Sequence, residues 1–455
     1  MTARRLYNDD MYRFDEPQPS YWEATAGRSD FQAEPLGADD SCEVAIVGGG
    51  YTGLSAAYHL AKFYNIEARV LEAGHIGWGA SGRNGGFCSI GGTSLDLNRQ
   101  IRKYGQENVR HYYQGQIDAV ELVRGIIQDE GIEAQMVGDA ELEVAHSEKA
   151  FSELKKHAEM QFRAVGLDAD IVSAEQHKHE YFDSTEQFGA ARVRPTFGLH
   201  PMRYILGLAS AAERLGVKLH RDSEVVSWEK TGNEHLLRTR NATLKAKYVV
   251  MATNGFMPEH IHSDFHARSL PLISAIVVTR PLTNDELAVH HYSAMTPAIT
   301  SRNLMNYFRL LPDNRFMFGG RGSSTGQDDA AAKTYNQLVN RLRQLWPAWK
   351  NVQIDYRWHG LICMTFRQTP CIGRLPDDPS VFYGFGYHGN GVNTSTWTGK
   401  QIADWLASSS LEDASIPKTL PVMVHELSPR VPFPALRRHY LQARIALFRF
   451  SDWLD

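Results

Sequence analysis

The chain has few cysteines, no long apolar run and no large excess of charge, and each shortage narrows what the protein can be. Its 455 residues include four cysteines, none in a CxxC pair, so neither a disulfide framework nor a thiol metal site is expected. No apolar run approaches the ~18–20 residues that cross a bilayer, which makes a membrane partner improbable on these grounds. A net charge of −4 gives no reason to expect nucleic acid as a partner.

The N-terminal stretch also lacks an apolar core, since Met1–Arg5 is polar and Asn8–Asp10 is acidic. We therefore expect no secretory signal and a cytoplasmic protein. The chain is long enough for two domains, and its 43% hydrophobic and 22% charged residues are typical of a soluble globular protein. No His/Cys spacing suggests a metal site, and none is expected.

The strongest positive signal is a glycine-rich segment between an apolar run and a helical pattern. Val44–Val47 precedes the segment Gly48-Gly49-Gly50-Tyr51-Thr52-Gly53. Gly48 suits a tight turn out of a strand, Gly50 a close approach to a pyrophosphate, and Gly53 close helix–strand packing. Tyr51 and Thr52 open the helix, whose free N–H groups suit phosphate oxygens.

Glu72 completes this pattern at the end of a second predicted strand, Ala68–Leu71. It follows the last glycine at about the 20-residue distance that the dinucleotide motif requires. A carboxylate at this position can accept a hydrogen bond from a ribose 2′-OH and repels a 2′-phosphate. The sequence therefore predicts a dinucleotide site.

A second small-residue loop, Gly79–Gly86, begins shortly after Glu72. It contains the candidate cofactor residues Ala80, Ser81, Arg83, Asn84 and Gly85. One guanidinium among hydroxyl and amide groups suits a second approach to a pyrophosphate or to a flavin ring. A flexible surface loop is the alternative.

A third glycine-rich turn, Tyr383–Val392, precedes the helical stretch Ser395–Leu406. Gly389, Asn390, Gly391 and Val392 could bring N–H groups and a helix dipole to the N1–C2=O edge of a reduced flavin. A lone motif of this kind is usually only a turn, so its weight comes from the first two loops.

With these three loops the chain resembles the FAD-dependent amino-acid and amine oxidoreductase superfamily, which includes D-amino-acid, glycine and sarcosine oxidases. The GWGASGRNGG stretch is most similar to the γ-glutamylputrescine oxidase branch. The resemblance implies FAD as the cofactor, Val225 beside the adenine and the strand end at Ala252 in the FAD domain. Cys363 is out of register with the flavin-linked cysteine of sarcosine oxidases, which aligns nearer Gly360, so we expect non-covalent FAD.

The fold class implied is α/β, a Rossmann-like FAD-binding domain with a second α+β substrate domain built on an antiparallel sheet. We expect an N-terminal arm (1–40), an FAD-binding domain (41–95, 196–260 and 355–415), a substrate domain (96–195 and 261–354) and a C-terminal tail and helix (416–455). The residue pattern of this tail predicts an amphipathic helix from Pro434, which we expect to dock on the body of the protein or on a second subunit. A membrane-surface role is the weaker alternative.

The family's carboxylate-binding residues do not match this chain. Ile362 stands where amino-acid oxidases carry an arginine, Asn393 where sarcosine oxidases carry a lysine, and Arg367 where the family usually has an aspartate. These departures argue against a simple α-amino acid or sarcosine as substrate. An amine whose charged groups lie farther from the reacting carbon fits better.

Three residues are candidates for catalysis or substrate binding. Family analogy makes the hairpin Tyr307–Arg321 a wall over the flavin, with Met317 near the position of the oxygen-activating lysine. Arg321 could bind a distal carboxylate or be a solvated strand-end arginine. Tyr307 could line the substrate or be core, and His388 could act on the flavin edge or only cap its turn.

We expect FAD-dependent oxidation of an amine C–N bond to an imine, which water hydrolyses to an aldehyde and an amine. A γ-glutamyl amine is one candidate substrate, with oxygen or another acceptor taking the electrons. One alternative is an N-methyl amine or imino-acid dehydrogenase that uses a quinone or carrier. The other is a non-catalytic flavin-binding protein.

Overall fold

The computed structural model describes residues 5–28, 30–408 and 415–454. The helices are α1 Tyr21–Thr25, α2 Tyr51–Tyr64, α3 Leu97–Tyr104, α4 Gln106–Asp129, α5 Glu148–Val165, α6 Ala174–Glu180, α7 Pro201–Arg214, α8 Asn284–Val289, α9 Asp328–Leu345, α10 Gly391–Ser408 and α11 Arg437–Leu454. The strands are β1 Asp40–Val47, β2 Ala68–Leu71, β3 Phe87–Cys88, β4 Glu141–Val144, β5 Ala169–Val172, β6 Ala190–Val193, β7 Phe197–Gly198, β8 Lys218–His220, β9 Ser227–Thr231, β10 Glu234–Arg238, β11 Thr243–Met251, β12 Ser269–Thr279, β13 Ala298–Thr300, β14 Tyr307–Leu310, β15 Phe316–Arg321, β16 Ile354–Thr365, β17 Cys371–Arg374 and β18 Val381–Phe385.

The first large sheet has the central order β17-β18-β11-β1-β2-β8. Strand β1 pairs in parallel with both β2 and β11. Its residues Val44–Val47 are all buried, because alternate side chains enter hydrophobic cores on opposite faces of the sheet. A continuous apolar run is what a parallel strand covered on both faces requires.

The second large sheet has the order β16-β12-β15-β14-β13-β4-β6-β5 and is largely antiparallel. One face carries Val277, Phe308 and Phe318, which pack in one core with α9 residues. Directly paired residues of the opposite face form a row across the sheet: Glu143, Ile299, Tyr307, Gly319, Ile276 and Trp358. We call this the inner face, because Ile276, Tyr307 and Trp358 pack with the core of the first sheet.

The predicted α/β fold class is therefore confirmed, with a Rossmann-like sheet and a second, largely antiparallel one. The exact domain boundaries stay a prediction. Strand β16 pairs with β12 in the second sheet, although its residues lie in the range expected for the FAD-binding domain.

The C-terminal helix α11 lies on the body of the protein. At its start, the Arg437 guanidinium donates two hydrogen bonds to the Glu259 carboxylate, at 2.5 and 2.9 Å. Near its end, the Asp452 carboxylate accepts the backbone N–H groups of Asn303 and Leu304, each at 2.9 Å. Throughout residues 5–28, 30–408 and 415–454, the helices lack the combined length and apolar character needed to traverse a bilayer.

Candidate functional site

The first glycine segment folds as a strand–turn–helix unit. Gly48 has φ of +110°, and a Cβ on it would lie 2.8 Å from the Ala252 oxygen at the end of β11. A Cβ on Gly53 would lie 2.0 Å from the Gly48 oxygen. Only glycine allows strand β1, its turn and α2 to pack this closely.

Glu72 and Val225, the residues predicted to lie beside the ribose and the adenine, are brought close to the first glycine segment and to each other. The Glu72 carboxylate accepts the backbone N–H of Gly49 at 2.6 Å and that of Gly74 at 3.1 Å. Burial raises the pKa of Glu72, while these two donors favour its charged form. The Ser223 N–H donates to the Glu72 carbonyl at 2.7 Å. The buried Val225 follows two residues after Ser223, so it lies near Glu72.

The second loop meets the first directly. Its residues Ala80–Gly82 form a 3₁₀ turn, and Ser81 Oγ accepts the N–H of Tyr51 at 3.0 Å. A Cβ on Gly50 would lie 3.0 Å from the same Oγ. The helix N-terminus of the first segment and the second loop therefore share one polar contact region.

Three side chains hold the second loop by its carbonyl oxygens. The indole N–H of Trp22 donates to Asn84 and that of Trp358 to Arg83, each at 2.8 Å. Arg309 Nε donates to the Gly85 oxygen at 3.2 Å. These clamps give the loop one defined shape, which a freely moving surface loop would not have.

The late turn reaches the first loop directly, as the second loop does. Thr52 Oγ1, in the first turn of α2, lies 2.6 Å from the Tyr387 hydroxyl. Asn390 Nδ2 donates to Gln116 Oε1 at 3.1 Å, and Gly389 has φ of +96°. Gly391 opens α10, while Val392 is buried in the core of the first sheet. The structure therefore brings the three predicted glycine loops together.

His388 is held from both sides of its ring. Its Nδ1 lies 2.8 Å from Ser94 Oγ, just beyond the second loop, and its Nε2 lies 3.1 Å from Thr365 Oγ1. Burial lowers the pKa of His388 to about 3, so the ring is neutral at physiological pH. Its catalytic role stays a prediction, and the two contacts favour positioning of the late turn.

Two side chains in these loops retain buried polar atoms without protein partners. Neither Asn393 Nδ2 nor Asn393 Oδ1, in the first turn of α10, has a hydrogen-bond partner among the described residues. The same holds for Arg83 Nη2, although Arg83 Nε donates to the Trp78 oxygen at 2.6 Å. Buried polar atoms are nearly always paired, so these orphaned atoms fit a polar cofactor such as FAD.

The inner face of the second sheet supplies the opposite wall. Tyr307 packs edge-on against Phe87, and a Cβ on Gly85 would lie 3.2 Å from the Tyr307 ring. The Tyr307 hydroxyl lies 2.9 Å from Ser274 Oγ. Ser274 pairs directly with Arg321 in the sheet, so Arg321 is placed on the same face. No carboxylate within the described ranges forms an ion pair with Arg321.

Two carboxylates on this face escaped the sequence reasoning. Glu141 and Glu143 alternate with the buried Leu142 and Val144 along β4, so both lie on the inner face. Ser89 Oγ donates to Glu141, and burial raises the Glu141 pKa to about 7. Burial also raises the pKa of Glu143, for which the described residues offer no basic partner. The sequence shows the polar–apolar alternation of Glu141–Val144. It does not show that the two glutamates face the cofactor loops.

The residues at the family's substrate positions fall into two groups. Ile362 lies on the inner face beside the late turn, where its Cγ2 would meet a Cβ on Gly389 at 3.9 Å. Arg367 instead donates to the carbonyl oxygens of Pro370 and Met423, away from the loops. Cys363 lies in a core on the other side of β16 from Gly360. This placement agrees with non-covalent FAD.

Three glycine turns around one Rossmann-type sheet, facing a second sheet that carries charged side chains, define a dinucleotide-dependent oxidoreductase. The chain belongs to the FAD dependent oxidoreductase family, whose model matches residues 43–405. It is 29% identical to gamma-glutamylputrescine oxidoreductase of Escherichia coli (strain K12), over 94% of this chain and 98% of that protein. It is 30% identical to the probable oxidoreductase OrdL of Haemophilus influenzae, over 82% and 85%.

The crystal structure of glycine oxidase from Geobacillus kaustophilus has the same fold. Its TM-score is 0.67 at 22% identity, covering 80% of this chain and 94% of that one. These comparisons confirm the predicted family, the cofactor FAD and an enzyme rather than a non-catalytic flavin protein. The individual site residues stay predictions, as does a cytoplasmic location. In the described part of the chain, no three His, Cys, Asp or Glu side chains group as metal ligands.

Proposed function

We propose that this enzyme oxidises the C–N bond of a long amine that carries a carboxylate at its far end, as a γ-glutamyl amine does. The observation that carries the proposal is the charge layout of the inner face. Glu141 and Glu143 lie on β4, and Arg321 lies on β15. Negative groups suit a substrate ammonium, and a guanidinium suits a carboxylate.

The distance between these charges selects for length. Three strand spacings separate β4 from β15, and Arg321 lies two residues beyond the row that contains Glu143. Sheet geometry then puts the backbones of Glu143 and Arg321 roughly 15 Å apart and those of Glu141 and Arg321 roughly 20 Å apart. The ammonium and carboxylate of an α-amino acid are too close to reach both charges. A γ-glutamyl diamine separates its reacting amine and its carboxylate by about ten bonds, or about 12 Å extended.

The carboxylates would also prepare the amine for reaction. An ammonium group has no lone pair, so it must lose a proton before the C–N bond can be oxidised. Glu141, with a pKa raised to about 7, is suited to hold that proton near neutral pH. FAD, when bound, supplies the two-electron acceptor for the C–H bond. Tyr307 and Ile362 would line the apolar part of the substrate.

Met317 is the residue that favours one electron acceptor over another. This side chain is buried on the inner face, at the approximate position of the oxygen-activating lysine of sarcosine oxidases. A thioether cannot supply the positive charge of that lysine. An acceptor other than oxygen, such as a quinone or carrier, is therefore our second candidate, with an N-methyl amine or imino acid as its substrate. We further propose a cytoplasmic enzyme without a nucleic-acid partner.

Anaerobic reduction of the bound flavin tests the substrate. γ-Glutamylputrescine should bleach the flavin faster than putrescine, glycine or sarcosine. Glu141→Gln should slow bleaching roughly 100-fold, a typical loss for a proton-transfer group. Glu229→Gln, on an exposed strand, is the matched control and should leave the rate unchanged. Faster bleaching by sarcosine or by an imino acid would replace the first proposal with the second. Peroxide formed on admitting air would identify oxygen as the acceptor.

A further inference from the structure

Tyr7 of the N-terminal arm and helix α11, both outside the family-matched residues 43–405, meet at the end of β15 beside Arg321. A small cavity there is lined by Arg321, Tyr7 of the N-terminal arm, and Arg438 and Gln442 of α11. Its volume is about 10 Å³, room for about one water molecule. One side of this cavity is therefore formed by segments of the chain that the family model does not cover.

The cavity collects positive charge without a balancing carboxylate. Arg321 and Arg438 are both half-buried, and neither forms an ion pair within residues 5–28, 30–408 and 415–454. The exposed Arg444 lies close enough to lower the pKa of Arg321, together with the larger effect of burial. The adjacent arginine of α11, Arg437, is paired with Glu259. An anion would offset the positive charge that Arg321 and Arg438 bring to the cavity.

Arg321 belongs both to this cavity and to the inner face of the second sheet. Its paired residue Ser274 lies on that face, where the Ser274 hydroxyl is 2.9 Å from the Tyr307 hydroxyl. Helix α11 is fixed across this end of the sheet by the contacts of Arg437 and Asp452. The flexible Gln442 side chain is exposed, so it can turn outward to admit a group larger than water.

We propose that Arg438 of α11 binds the distal carboxylate of the substrate together with Arg321, so that the C-terminal helix determines specificity. This inference rests on the proposed function, since it assigns the carboxylate end of the same substrate. Two guanidiniums can each donate to one carboxylate oxygen. Arg438 thus belongs to the binding site, at a distance from the reacting carbon.

The test separates carboxylate recognition from turnover. The probe is γ-glutamylbutylamide, which has the carboxylate end but lacks the terminal amine of γ-glutamylputrescine, and its binding to the holoenzyme is measured by calorimetry. Arg438→Gln should weaken binding roughly 10- to 100-fold, as expected for loss of one charge-assisted hydrogen bond. The same probe with its carboxylate converted to a carboxamide should bind wild type and Arg438→Gln equally. His439→Gln, exposed on the same helix, is the matched control.

The outcomes distinguish this inference from the proposed function. If wild type binds the probe and Arg438→Gln binds it equally well, Arg438 has no role and the inference is wrong. If the wild-type enzyme does not bind the probe and does not react with γ-glutamylputrescine, the substrate assignment itself is wrong. Arg438→Lys should recover part of the affinity, because it restores the charge without the planar pair of donors.

Discussion

Replacement of Arg83 by methionine should stabilise the apoprotein and weaken FAD binding. Burial lowers the pKa of Arg83 from 12.5 to about 9. At 1.36 kcal/mol per pKa unit, holding this charge costs up to about 5 kcal/mol. The cost is fully present at pH 7, where folded and unfolded chains both keep the proton, and it declines only above pH 9. Methionine removes it but also loses the hydrogen bond to Trp78 and the stacking on its ring.

Those two losses offset part of the gain. The guanidinium lies 3.8 Å from the Trp78 ring centroid, and together the contacts contribute about 3 kcal/mol. A net gain of about 2 kcal/mol should raise the midpoint of thermal unfolding of Arg83→Met apoprotein. FAD should bind roughly 10- to 100-fold more weakly, because methionine lacks the Nη2 donor that is unpaired in the wild-type protein and could bind the cofactor.

Arg309 is the matched control for this prediction. Burial lowers its pKa to about 9 as well, but its guanidinium donates to the carbonyl oxygens of Gly85 and Leu199. Arg309→Met should therefore stabilise the apoprotein less than Arg83→Met does, since two buried carbonyls lose their donor. Apoprotein unfolding and FAD titration by fluorescence quenching measure both variants. An Arg83→Met protein that is less stable without FAD and binds it as wild type does would refute the reasoning.

Three further outcomes are expected. Gly50→Val should purify without yellow colour, because its side chain enters the space beside Ser81 where the cofactor loops meet. The control Gly125→Ala, with open space around it, should keep its flavin. A yellow Gly50→Val protein would contradict the site assignment. Glu141, with a pKa raised by burial from 4.5 to about 7, keeps a proton that the unfolded chain releases, so stability should fall by up to about 3 kcal/mol between pH 4.5 and 7. Denaturant titrations of Glu141→Gln should lack this slope, and an identical slope would show that another group causes it. His388→Gln should keep the shape of the wild-type pH profile of kcat/KM, because the His388 ring is neutral above its pKa of about 3; loss of one apparent pKa would make His388 a base.

The cofactor loops could be predicted from the sequence because their constraints are local. Gly48 and Gly53 are fixed by turn and packing geometry within one strand–turn–helix unit, and Glu72 follows at the end of the next strand. The substrate wall depends on sheet register over long chain separations. Glu143 is placed beside Ile299 and Tyr307 only by pairing of β4 with β13 and of β13 with β14. Nothing near Glu143 in the sequence specifies that pairing.

Arg438 shows the same limit from the terminus. The amphipathic pattern predicts its helix, and the structure has α11 from Arg437. Which side of the body the helix covers depends on Glu259 and on the N–H groups after Arg302, which lie far away in the chain. Side-chain periodicity defines a face, but only the tertiary partners decide that Arg438 lines the same cavity as Arg321.

The position of the carboxylate-binding group decides the class of product. Ile362 and Asn393 stand where the resembling oxidases carry basic residues beside the late turn. In our proposal, Arg321 and Arg438 supply the carboxylate-binding cation at the far end of the inner face instead. The oxidised carbon would then not be the α-carbon of an acid, and hydrolysis of its imine would give an aldehyde instead of a 2-oxo acid. The same cofactor loops can therefore support either chemistry, and the second sheet with its terminal helix selects between them.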